Sequence, residues 1–84
     1  PEGCFNLGVM YYNGYGVDKN YSIAEQFYKK AARIGSPSAY YMLSIIENNK
    51  GNSNKSLYYA QKGCELNDAK SCFLAGAFYY DGEG

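Results

Sequence analysis

Eighty-four residues of ordinary hydrophobic content allow one small unit, which on folding buries only about 60–65% of the surface exposed by its unfolded chain. Eight acidic residues balance eight basic ones and His is absent, so no long-range field recruits nucleic acid or an anionic membrane. No apolar run approaches 18 residues and no basic-then-apolar leader occurs, so this stretch is expected neither to span a membrane nor to carry its own address.

A first helix is expected from about Glu2 to Asn13, with Pro1 at a helix start. It carries Leu7, Met10 and Tyr11 on one face and Phe5, Val9 and Tyr12 on another, the pattern of a helix covered on two sides. Gly8 lies between the faces. It costs up to about 1 kcal/mol relative to Ala in a helix interior, a loss usually offset by close approach of a neighbour. Gly14 and Gly16 end that helix, and Asn20 caps a second running to Ile34, whose buried side is marked by Ile23, Ala24, Phe27, Tyr28 and Ala31. Gly35, Ser36 and Pro37 read as a left-handed stop, a new cap and a first helical residue.

The third helix runs from Pro37 to about Asn48. After a turn around Gly51, Asn52 caps a fourth, from Ser53 to Leu66. Asn67 then tolerates the left-handed stop and Asp68 caps a fifth helix, from Ala69 to about Asp81, with Gly82 and Gly84 opening a further turn.

The chain is internally repetitive. Cys4, Tyr40 and Cys72 open equivalent helices 36 and then 32 residues apart, and LGVMYYNGYGV from Leu7 returns as LAGAFYYDGEG from Leu74. A period of this size means that each unit buries its apolar face only by stacking on its neighbours. The units divide as 1–35, 36–67 and 68–84, the last incomplete, and the stretch is expected to belong to a longer array. Eleven Tyr and four Phe without Trp suit helix seams and half-exposed binding surfaces alike.

Leu7, Gly8, Tyr11, Gly14, Gly16 and Val17, followed by Ala24, Tyr28, Lys30, Ala31, Ala32 and Gly35, resemble the Sel-1-like repeat family, cousins of the tetratricopeptide repeats. The middle unit keeps Leu43 but lacks the paired glycines. The third, LAGAFYYDGEG preceded by KGCELNDAKSC, is similar to cysteine-rich, exported bacterial members. The resemblance implies an all-α fold, a right-handed α-solenoid of antiparallel helix pairs with about five helices here, serving as a protein-interaction scaffold in an exported, periplasmic or secreted protein. Some cysteine-rich members have been linked to penicillin binding or weak β-lactam hydrolysis.

Within that frame Cys64 and Cys72 flank a tight reversal, where antiparallel helices bring Cα atoms to the ~5.5–6 Å of a disulfide, and a bond is expected. Cys4 is left unpaired, its equivalent partner falling eight residues upstream. Buried thiols in a reducing compartment are the alternative.

Three Cys without His make no ordinary zinc site, and no Cys-x-x-Cys occurs; no metal and no cofactor are expected. Ser-x-x-Lys, Ser-Asp-Asn and Lys-Thr-Gly are all missing, and Ser36, Ser44, Ser53 and Ser56 have no His as a base, so no catalytic residue is assigned. Asn20-Tyr-Ser and Asn54-Lys-Ser fit the glycosylation sequon at chance level. Lys29, Lys30 and Arg33 form a small basic cluster, either a solvated face or a site for a partner's acidic patch.

Carrying the resemblance over, the first helix of each unit lines a concave surface. Its rows are Phe5, Tyr41 and Phe73; Val9, Ile45 and Ala77; Tyr12, Asn48 and Tyr80; with Asn13, Asn49 and Asp81 at the edge. Rings bury area and amides satisfy a partner's backbone, so the expected partner is a protein or peptide, besides neighbouring repeats. Three rival readings stay open: a β-lactam or cell-wall-fragment binder, a structural spacer without ligand, and an adaptor in an oxidising eukaryotic compartment.

Overall fold

In a computed structural model, residues 2–80 are described. The expectations for Pro1, Asp81, Gly82 and Gly84 lie outside the described residues, as do the side chains of Glu2 and residues 78–80. The described chain forms five α-helices and no strand: α1 (Glu2–Asn13), α2 (Tyr21–Arg33), α3 (Pro37–Asn49), α4 (Ser53–Glu65) and α5 (Ala69–Tyr80). Each packs chiefly on the next in sequence, and α3 also touches α5. The result is a 39 × 24 × 16 Å slab built from nearest-neighbour contacts, as in a solenoid.

Local chemistry sets the helix ends. The Asn20 side chain accepts the Ile23 N–H at 3.0 Å, Ser36 Oγ accepts that of Ala39 at 3.4 Å, and Asp68 Oδ2 accepts that of Ser71 at 2.9 Å; each satisfies one otherwise unpaired donor. At the far ends Gly35 (φ +95°) and Asn67 (φ +68°) take the left-handed backbone expected of them. Asn52 departs from expectation. It precedes α4 but makes no side-chain cap, because its amide instead donates to Glu47 Oε1 at 2.9 Å. Its backbone N–H still bonds the Glu47 carbonyl at 2.9 Å, as that of Asn20 bonds the Tyr11 carbonyl at 2.8 Å. Glu47 and Tyr11 are equivalent positions, so a turn shorter by four residues closes on the same helix carbonyl.

The core is built mostly of small residues, with Ala24, Ala31, Ala39 and Ala60 fully buried beside Tyr28, Leu43 and Ile46. Small side chains let helix axes approach, and one large side chain fills what remains. In the first unit that side chain is Tyr28, whose ring lies so close to Gly8 that a Cβ there would meet it at 2.7 Å. The second unit solves the same junction differently. Ser44 stands at the Gly8 position and Ala60 at the Tyr28 position, and Ser44 and Ser56 exchange hydroxyl-to-carbonyl bonds of 2.7 and 2.8 Å. Farther along, Gly63 lets α3, α4 and α5 converge, since a Cβ there would strike the Ser71 side chain and stand 3.2 Å from Tyr40 Cβ.

Candidate functional site

The face expected to receive a partner lies on α1, α3 and α5. In the first unit its aromatic residues are largely committed to the fold. The Phe5 ring lies 5.6 Å from Tyr28, Tyr12 lies 6.5 Å from Tyr28 and 5.0 Å from Tyr21, and Val9 leans on the core between them. Tyr28 reaches this layer because Gly8 presents no side chain to it.

The surface opens toward α5. Tyr41, Ile45 and Ala77 are half-buried and Phe73 is 76% exposed. Lys70 Nζ stands 5.6 Å from the Tyr41 ring centroid, a cation–π placement that sequence reasoning did not assign. Asn13, Asn48 and Asn49 are exposed at the edge, although the Asn13 amide already donates to the Val9 carbonyl at 3.0 Å. Tyr80 belongs to α5 without a described side chain, and Asp81 lies outside the described residues. The arrangement offers rings and aliphatic carbons bordered by amides, suited to burying apolar side chains of a partner while satisfying its backbone.

A network of ion pairs joins α2 to the end of α3. Glu25 of α2 and Glu47 of α3 are both buried and share Lys50, whose Nζ lies 2.7 Å from Glu25 and 3.7 Å from Glu47; Lys29 adds a 3.3 Å contact to Glu25. Burial alone pushes the Glu25 carboxyl upward, but hydrogen bonds and charge from Lys50 and Lys29 outweigh it and hold the group below its ordinary value. The Glu25 hydrogen bond likewise raises Lys50, against a smaller desolvation effect. The readable part of this network was the Glu25–Lys29 spacing of one helical turn; the tie to Lys50 needed the fold.

Cys64 and Cys72 are joined as a disulfide with a Cα separation of 4.4 Å, and Cys4 is free and half-buried. Among the described residues no group of three His, Cys, Asp or Glu side chains gathers to hold a metal, and no helix is long and apolar enough to cross a membrane.

The family model described as Sel1 repeat matches residues 1–36, 37–68 and 69–84. Among solved structures, a Sel1 repeat protein from Oxalobacter formigenes superposes with a TM-score of 0.90 at 32% identity, over 98% of this chain and 35% of that one. A component of an ERAD-associated E3 ubiquitin-protein ligase, HRD3B of Arabidopsis thaliana, is 44% identical over 41 residues, 48% of this chain. The putative beta-lactamase HcpC of Helicobacter pylori is 74% identical over 19 residues, 23% of this chain. Each match spans 7% of the curated relative's length.

Proposed function

We propose that this chain, which belongs to the Sel1 repeat family, is a protein-interaction module that holds an extended peptide or helical segment of a partner on the face formed by α1, α3 and α5. Proteins of this family generally mediate protein–protein interactions and are generally not enzymes, and the HRD3B relative is named as part of a ligase assembly. One observation carries the reading. Phe73, a large ring left 76% exposed, repeats on α5 the position that half-buried Tyr41 holds on α3, where Lys70 of α5 stands 5.6 Å from the Tyr41 ring centroid, a combination suited to a buried anchor surrounded by a water-excluding rim.

Display selection of peptides on the full chain tests it. Tyr41→Ala and Phe73→Ala should each weaken selected ligands by ~10-fold or more, as for an anchor worth ~2 kcal/mol, with the thermal midpoint nearly unchanged. Ligands indifferent to both substitutions would remove the face from consideration.

A second reading, binding of a β-lactam or cell-wall fragment, draws on the 74% identity with HcpC over 19 residues. A chromogenic β-lactam separates the two: turnover abolished by Tyr41→Ala favours the second. The Cys64–Cys72 bond supports residence in an oxidising compartment, periplasmic or extracellular in a bacterium, the secretory route in a eukaryote. Trapping of thiols in intact cells, with Cys64 and Cys72 refusing the label until reduced, is the expected result.

A further inference from the structure

A second surface lies along the paired second helices. Between α2 and α4 runs a groove of about 370 Å³, lined by Lys29, Arg33, Tyr40, Tyr58 and Tyr59 and floored by Ala32 and Leu43. Its volume sits at the small end of ligand pockets, which run from ~300 to 1,000 Å³, enough for one anchoring side chain and the backbone beside it. The floor is apolar and both floor residues are buried, whereas Tyr58 is 53% exposed and Arg33 is exposed.

The polarity of the rim is one-sided. Among the described residues no carboxylate lines the groove. The nearby Glu25 and Glu47 are buried and share Lys50, while Lys29 adds a longer 3.3 Å contact to Glu25 and keeps its side chain half exposed on the rim. Arg33 makes no described ion pair, whereas Lys62, 5.6 Å from the Tyr58 ring centroid, also pairs with the exposed Glu65 at 3.9 Å. Lys29, Arg33, Lys50 and Lys62 stand against Glu25, Glu47 and Glu65, a local excess of one positive charge, on Arg33, in a chain of zero net charge. Lys29 and Arg33 stand one helical turn apart, about 6 Å along α2. Alternate residues of an extended strand stand about 6.6 Å apart.

We infer that the α2–α4 groove binds a second protein segment, an extended acidic peptide with carboxylates on alternate residues facing Lys29 and Arg33 and an apolar side chain inserted over Ala32 and Leu43. The surface is separate from the α1–α3–α5 face and does not depend on the reading given to that face. Guanidinium and ammonium groups supply charge-assisted bonds to the carboxylates, while the tyrosines supply ring area with hydroxyls free to meet backbone groups.

The test uses a fluorescein-labelled peptide with an Asp-Phe-Asp core between Gly-Ser flanks, titrated into the full chain by anisotropy. Lys-Phe-Lys and Asp-Gly-Asp versions serve as controls. Binding of the acidic aromatic peptide should exceed both controls by at least ~10-fold and should weaken several-fold between 50 and 500 mM salt, because the charged rim is screened. Arg33→Glu and Tyr58→Ala, both at exposed positions, should each reduce it by ~10-fold with the melting curve retained, and Phe73→Ala should leave it unchanged. No measurable binding, equal binding of the basic control, or loss with Phe73→Ala in place of Arg33→Glu would each overturn the assignment.

Discussion

Gly8 and Tyr28 are a matched pair. A Cβ at Gly8 would meet the Tyr28 ring at 2.7 Å, so Gly8→Ala, although it improves helix propensity, should destabilise by about 1–3 kcal/mol through overpacking. Combining Gly8→Ser with Tyr28→Ala copies the second unit's Ser44 and Ala60. Chemical denaturation of the two single variants and the double should show a loss smaller than the sum, with a coupling of about 1 kcal/mol or more. At Gly76 an added Cβ meets nothing within 4 Å among the described residues, and Gly76→Ala should stabilise by up to about 1 kcal/mol.

The Tyr28 hydroxyl is buried without a hydrogen-bond partner among the described residues. Burial, followed by the neighbouring Tyr12, pushes it up to about 12. Tyr28→Phe keeps the ring and removes the unpaired polar atom, so the melting temperature should rise or hold. The recurrence of Gly8 at position 76, with Ser44 between, was legible in the sequence. Which opposing side chain fills each gap was not, because a period reports where small residues fall but not the volume facing them.

Among elements, the ends were the most readable feature, since Ser36, Asp68 and Asn20 announce caps by residue type alone. Asn52 has the same type and does otherwise, because a buried carboxylate at Glu47 competes for its amide. The network around that carboxylate has a defined pH signature. The folded value of Glu25 is depressed, so its contribution is present above about pH 4.5 and lost as pH falls through the folded value. That of Lys50 is raised, so its contribution is present below about pH 10.5 and lost as pH rises through the folded value. Stability should be flat between those limits and fall on both sides. Lys50→Met should cost about 1 kcal/mol at neutral pH, less than the ~3–5 kcal/mol of a fully buried pair because Lys50 is half exposed, and it should blunt both limbs. Reduction of Cys64–Cys72 releases a loop of eight residues' separation. The chain-entropy model assigns it about 2.5–3 kcal/mol, read as a drop in thermal midpoint of ten degrees or more in a domain this small.

At the scale of the molecule, element number, order and nearest-neighbour packing followed from the 36- and 32-residue period, since a unit that cannot close its own core has few other ways to fold. The candidate face was less legible. The family resemblance placed Phe5, Tyr41 and Phe73 in one row but did not reveal that Phe5 and Tyr12 lean on Tyr28, which concentrates the accessible part around Phe73. Nor did local sequence show that Lys29 and Arg33 border an aromatic groove, because its opposite wall comes from α4, more than twenty residues away.

The fastenings between units differ in kind. Lys50, at the end of α3, reaches back to Glu25 of the first unit, whereas the second and third units are bolted covalently at Cys64–Cys72. Stretched between two beads in an optical trap, the chain should yield first at the ionic clasp, releasing α1 and α2, and its final extended length should fall short by the span between Cys64 and Cys72 until a reductant is added. Extra salt or acid should lower the first rip without recovering the withheld length, so the same thread carries one tether that yields to the ionic bath and another that answers to electrons.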